Sequence, residues 1–211
     1  MRRIGATVAV LALVAALSVA AVHQLQPAWW LRLWYPLDYQ TQVTGYAKQY
    51  HLPPDLVAAV IYKESRFKAS ARSHAGAVGL MQLLPDTAEG IAIHTGGTQF
   101  DPATDLLNPD LNVRYGCWYL RHLMNKYRDE PNGSDLALAA YNAGQANVDR
   151  WIERTPKGRP VAIPFAETRD YVDSIHDLRD IYRKAYGPEL GGRVAVARER
   201  RSSDRRRRMP G

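Results

Sequence analysis

Residues 54–67 read PDLVAAVIYKESRF. Val57, Val60 and Ile61 recur at spacings of three and four, which marks one face of a helix. One more step along that face reaches Glu64, seven residues after Val57. At about 100° per residue Glu64 falls inside the apolar stripe, while Ala59, Lys63 and Arg66 take the opposite face. A carboxylate therefore stands where a core residue is expected. Burial penalises its charged form and raises its pKa. A Glu with a raised pKa holds a proton near neutral pH and can give it to a leaving group. Two plainer readings stand beside this one: Glu64 pairs with an Arg, or the stripe ends at Ile61 and the carboxylate is solvated.

Outward from this helix the chain reads as more helices. Val43, Tyr46, Ala47 and Tyr50 form an amphipathic face before it, and Pro54 suits a first helical position. After it comes a small-residue loop over 69–79, with room for one small hairpin. Asp86 and Glu89 are spaced as a capping box, which predicts a short helix to about Ile93. Asp110 opens a long helix with the stripe Val113, Cys117, Leu120, Met124 and Tyr127. Ser134 is placed to cap the next helix, which is apolar nearly all round and so belongs in the centre. A further short helix covers 147–154, and the last carries Tyr171, Ile175, Leu178 and Tyr182. No period-2 strand is evident, so the fold is predicted to be mainly α.

Charge is concentrated at the two ends. The formal net charge is +7. Residues 189–211 carry eight Arg against three acids, and Arg2 and Arg3 account for the remaining excess. The body is neutral, so its composition does not point to nucleic acid. The lone Cys117 excludes an internal disulfide, and its place on an apolar stripe marks a buried thiol. The six His lack a metal-ligand spacing such as HExxH, so neither metal nor cofactor is expected.

At the amino terminus Ile4–Val22 holds 19 residues without a charge, and a helix of that length is about 28 Å long, close to a bilayer core. Ser18-Val19-Ala20 is a passable cleavage site. The longer apolar run and the cluster Trp29, Trp30, Trp34 and Tyr35 favour an uncleaved anchor with an interfacial aromatic belt.

Four stretches then occur in register: Glu64-Ser65-x-Phe67; Gly79-Leu80-Met81-Gln82; Ala140-Tyr141-Asn142-Ala143-Gly144; and Ile163-Pro164-Phe165-x-Glu167-Thr168-Arg169-x-Tyr171-Val172. In that order and spacing they closely resemble the catalytic domain of the soluble-lytic-transglycosylase type, which has a goose-lysozyme-like helical fold. The resemblance covers about residues 37–187. It implies that Glu64 is the single catalytic acid/base, that Ser73 and Gln82 line a glycan cleft, that the Tyr141 hydroxyl lies beside the catalytic carboxylate, and that Glu167 is an acid near the same cleft. Leu84 departs from the family's usual methionine. The bland alternatives are that Gln82 caps a loop, Tyr141 is core, Asn142 is a helix cap and Glu167 pairs with Arg169.

The expected organisation is a membrane anchor or signal over 1–22, an aromatic juxtamembrane linker over 23–36, the catalytic domain over 37–187 and a disordered Arg-rich tail over 188–211. The expected activity is cleavage of peptidoglycan between N-acetylmuramic acid and N-acetylglucosamine, with 1,6-anhydromuramoyl products. A muramidase of the same fold and a non-catalytic peptidoglycan-binding module are the alternatives. The expected setting is the bacterial cell envelope, with the domain outside the cytoplasmic membrane, or secreted if the leader is cleaved. The partners are glycan strands, the membrane through the N-terminal helix, and anionic wall polymer or lipid at the tail.

Overall fold

A computed structural model describes residues 2–96 and 100–191, with the backbone but not the side chains of residues 2–12 and Ala15. The described elements are α1 (Arg2–Leu25), α2 (Ala28–Trp34), α3 (Gln40–Gln49), α4 (Pro54–Ser65), α5 (Pro85–His94), α6 (Pro102–Asp105), α7 (Pro109–Lys126), α8 (Gly133–Ala143), α9 (Gln145–Glu153) and α10 (Ala166–Tyr186). No strand occurs among the described residues. The hairpin expected in the 70s is reduced to two isolated bridges, Arg72 to Val78 and Val78 to Leu83.

Four helices, α4 to α7, begin with proline at the first helical position, where the missing N–H costs nothing. Pro85 explains why the capping box fails: α5 starts one residue earlier than Asp86, with Leu84 at its N-cap and no side-chain cap. Likewise α8 starts at Gly133, and Ser134 lies inside its first turn. The preceding Asn132 turns its amide to both backbone groups of Val161, at 3.0 and 2.9 Å.

Helix α4 is the centre of the main core. Leu56 to Ile61 are all buried, Ala59 as completely as Val57. The expected one-sided stripe is thus corrected: α10 lies along one side of α4 and α3 along another, and α8 packs on α10 and α7. Asp55, in the first turn of α4, is held by Arg179 and Arg183 of α10 at 2.9 and 3.0 Å. A smaller second core of Val78, Leu83, Ala88, Ile91, Leu106 and Tyr115 lies under α5 and α6.

The two cores are joined through Asn112, a fully buried residue of α7. Its Oδ1 accepts from Met81 N at 2.8 Å, and its Nδ2 donates to the carbonyls of Val78 and Leu106, each at 2.9 Å. Gly79 makes this possible: its φ is +84°, and a Cβ there would lie 2.2 Å from Asn112 Nδ2. Gly116 lets α7 approach Met81 in the same way, since a Cβ there would be 2.3 Å from the Met81 sulfur.

The boundaries shift from those expected. Residues 28–36 are not a linker but part of the folded unit. Leu31 is buried, Arg32 Nε donates to Ala185 O at 2.8 Å and the Arg32 guanidinium covers the Tyr186 ring. Tyr182 and Tyr186 donate to the carbonyls of Pro36 and Tyr35. Trp29 and Trp34 remain 57% and 61% exposed. At the other end Glu189 pairs with Arg32 and Leu190 packs on the core, so 188–191 belong to the unit and not to a tail. The Arg run at 205–208 lies outside the described residues. Helix α1 exposes Leu13, Leu17 and Val19, and Leu25 O accepts from Lys184. Among the described residues no helix is long and apolar enough to cross a membrane. Most side chains of the uncharged run are outside those residues.

Candidate active site

Glu64 stands in the last turn of α4, where the helix leaves the core and the chain turns back. Arg66 and Phe67 both take positive φ, +51° and +62°, conformations that cost non-glycine residues about 1–2 kcal/mol each. Buried Phe67 and the Ser65 hydroxyl hold the turn; Ser65 Oγ donates to Leu80 O at 2.8 Å. The GLMQ loop is thereby fastened to the end of α4 from one side and to α7 by Asn112 from the other.

The carboxylate divides two hollows. One, of about 800 Å³, is lined by Glu64, Lys68, Ser70, Arg72, Ser73 and Gln82 among others. The second, of about 450 Å³, is lined by Lys63, Glu64, Asn142, Glu167, Asp170 and Tyr171. Glu64 is largely buried, and among the described residues no ion pair joins it to an Arg. Burial pushes its pKa up to about 7, against the smaller opposing effects of the Tyr171 hydrogen bond and the Lys63 charge.

Tyr141 lies close enough to feel the Glu64 charge, but the hydroxyl that bonds the carboxylate belongs to Tyr171, which the sequence reading did not single out. Tyr171 Oη donates to Glu64 Oε1 at 2.6 Å. Tyr141 instead donates to Met81 O at 2.8 Å, so it braces the GLMQ loop beside the acid. Burial holds both phenols well above their ordinary pKa, which keeps each a donor. Tyr171 sits on the apolar stripe of α10 and reads from sequence as core. The only signal was its place at the end of the Glu167-Thr168-Arg169 stretch.

Ser73 and Gln82 lie together in the larger hollow, and both also hold the loop. Ser73 Oγ accepts from Ala77 N at 3.0 Å. Gln82, at φ +47°, donates Nε2 to the carbonyls of Ala71 and Gly79. Its amide nitrogen is committed, which leaves the amide oxygen to face a ligand. Asn142 is not a helix cap: its Oδ1 accepts from Thr168 Oγ1 at 2.9 Å, and the residue lines the smaller hollow. Glu167 is exposed in that same hollow. The alternative of a pair with Arg169 is not what the structure shows, because Arg169 Nη1 donates to the carbonyls of Ile163 and Pro164. The motif thus works residue by residue: Thr168 sets Asn142, Arg169 sets the loop and Tyr171 sets Glu64.

A hydrogen bond donated to a carboxylate favours its charged form. Tyr171→Phe is therefore expected to raise the Glu64 pKa above about 7 and to carry the alkaline limb of a pH–rate profile upward with it. Turnover should fall about ten- to a hundredfold from the lost orientation, since such a bond to a charged group is worth about 1.5–3 kcal/mol. An unmoved limb would show that the phenol does not act on this ionisation.

Residues 42–161 match the sequence profile of the Transglycosylase SLT domain family. The soluble lytic murein transglycosylase of Salmonella typhimurium is 31% identical over 159 residues, which are 72% of this chain and 24% of that protein. Membrane-bound lytic murein transglycosylase F of Vibrio parahaemolyticus is 31% identical over 64% of this chain and 25% of its own length. The 70 kDa soluble lytic transglycosylase of Escherichia coli shares the fold, with a TM-score of 0.66 at 30% identity, over 76% of this chain and 27% of that one. The chain spans about a quarter of the length of these relatives.

Proposed function

The chain belongs to the Transglycosylase SLT domain family, and on that premise we propose that it is a peptidoglycan lytic transglycosylase. It cleaves the β-1,4 bond between N-acetylmuramic acid and N-acetylglucosamine and leaves a 1,6-anhydromuramoyl end. The observation that carries this reading is Glu64, an acid with a pKa of about 7 set between two hollows on one surface. A polymer lying through both places a linkage over the carboxyl group.

In the first half Glu64 gives its proton to the glycosidic oxygen as the C1–O bond breaks. In the second half the resulting carboxylate takes the proton of the muramoyl 6-hydroxyl, whose oxygen closes onto C1. Glu64 is left protonated again and no water is consumed. The internal hydroxyl is tethered to the reacting ring, and tethering reaches effective molarities of about 10⁵ M or more. Tyr171 positions the carboxyl group, and Gln82, Ser73 and Asn142 are assigned to the sugars. Tyr141 acts through the loop it braces.

A second reading, hydrolysis by a muramidase, gains support from Glu167. It lines the hollow of Glu64 and is free of Arg169, so a second carboxylate is available to activate a water. Mass spectrometry of products from purified sacculi separates the two. Anhydro ends, lighter by one water than hydrolysed ends, are the expected dominant species. Reducing muramic acid ends in the majority would make the enzyme a muramidase with Glu167 as base. Glycan binding without product at any pH would leave a binding module.

The substrate places the domain in the cell envelope. Anchoring by α1 is supported by its 19 uncharged residues, by its helical backbone over Arg2–Leu25 and by a relative named membrane-bound. The mature chain is then expected to begin at its first residues and to sediment with membranes. A mature N-terminus near Ala21 would replace the anchor with a cleaved leader.

A further inference from the structure

A third hollow, of about 240 Å³, opens where α5, α7 and the start of α9 meet. Asp86, His94, Trp118, Tyr119, His122 and Gln145 line it. Trp118 and His122 are one turn apart on α7 and stack nearly parallel, at 5.4 Å and 7° between planes. His94 of α5 leans on the same Trp ring at 5.8 Å. Trp118 is half-buried against the smaller core, whereas His94, His122 and Asp86 are exposed. Aromatic rings that stay at the surface beside open space leave apolar area in contact with water.

Side-chain contacts through two tyrosines link the wall of this hollow to the GLMQ loop. Tyr141 is bonded to the GLMQ loop, the Tyr119 ring lies 5.6 Å from it, and Gln145 Nε2 reaches the Tyr119 hydroxyl at 3.5 Å. Asp86 follows Gln82 by four residues, so the loop that lines the larger hollow runs directly into the wall of this one. Aromatic faces flanked by one carboxylate and one amide suit an N-acetylated pyranose: its C–H face packs on rings while its hydroxyls and acetamide meet planar polar groups.

We propose that this hollow is a further saccharide subsite, in which the Trp118–His122 stack and the flanking Asp86 and Gln145 hold an N-acetylhexosamine of the strand beyond the reacting pair. The proposal rests on the reading of the enzyme as one that acts on such strands. Its consequence is a preference for long strands over short ones.

The test titrates long and short peptidoglycan glycan strands into the full chain carrying Glu64→Gln, by calorimetry, with and without His122→Ala or Trp118→Leu. Aromatic contacts of this kind are worth about 0.5–1.5 kcal/mol, or roughly three- to tenfold in affinity. The advantage of long strands is expected to shrink by that factor in both variants. His122 is exposed, so its variant keeps the fold if the Trp118 variant does not. An unchanged long-to-short ratio in the His122 variant overturns the subsite. Product analysis of the unmutated chain on sacculi reports separately on the activity: anhydro ends with an unchanged ratio would sink the subsite alone. A binding module with a reduced ratio would keep the subsite and sink the catalytic reading.

Discussion

Glu64→Gln is expected to lower turnover of glycan strands by about 10⁴ or more, at or beyond the upper end of what general acid–base catalysis contributes, because one group acts in both halves of the reaction. The same substitution is expected to stabilise the fold at high pH. The ordinary pKa of the group is 4.5, and burial raises it to about 7 in the folded chain. The folded state therefore keeps a proton that the unfolded chain gives up, and stability falls as pH rises from 4.5 through 7. Above that window the buried charge costs about 3 kcal/mol at one pKa unit per 1.36 kcal/mol. The amide does not titrate and still accepts from Tyr171. Melting curves of both proteins should diverge across this window, with the variant higher on the alkaline side. Retained turnover in a folded variant would remove Glu64 from the chemistry. A stability difference flat with pH would remove burial as the cause of its protonation.

Asn112→Ala is expected to cost about 3 kcal/mol of stability, since the Met81 N–H and the Leu106 carbonyl lose buried partners and each such group costs about 1–3 kcal/mol. Val78 O loses less, because it also accepts from Leu83 N. For a chain of this size the melting temperature should fall by roughly 6–12 °C. The GLMQ loop should loosen with it, and kcat/KM should fall although Asn112 touches neither hollow. Asn112→Asp keeps the acceptor for Met81 N–H but loses both donors and buries a charge against two carbonyls, so it is expected to be no milder. Denaturant unfolding of both variants checks this. A midpoint unchanged from the parent would show that α7 does not hold the loop.

Much of the architecture was legible because helix formation is local. Apolar spacing in 54–61, proline at helix starts and the all-round apolar residues 136–140 are signals within a dozen residues, and the helices they predicted are present. The ends were less legible. Helix α2 has seven residues and one buried side chain, Leu31, and it is stable only as a plate on α10. Nothing in 28–34 alone distinguishes that from an interfacial linker. The caps at Asp86 and Ser134 were misread because Pro85 and Asn132 settle those starts first.

The candidate site divides the same way. Glu64 could be singled out from the chain alone, because a carboxylate at a core position of a helix is a conflict visible within seven residues. Which hydroxyl meets it could not. Tyr141 and Tyr171 are both tyrosines on apolar faces of late helices. The 2.6 Å bond from Tyr171 joins residues 107 apart in sequence, and it exists because α10 lies along α4. The sequence left open whether Arg169 pairs with Glu167, two residues before it; the chain turns the guanidinium onto two carbonyls and leaves that acid open to the cleft. Asn112 gave no sign of its role, since its three bonds depend on how closely glycine lets two segments approach. Periodicity and residue chemistry determine which helices form and which groups are out of place in them. The partners of those groups are decided by how the helices pack, because hydrogen-bond distances are set across space and not along the chain.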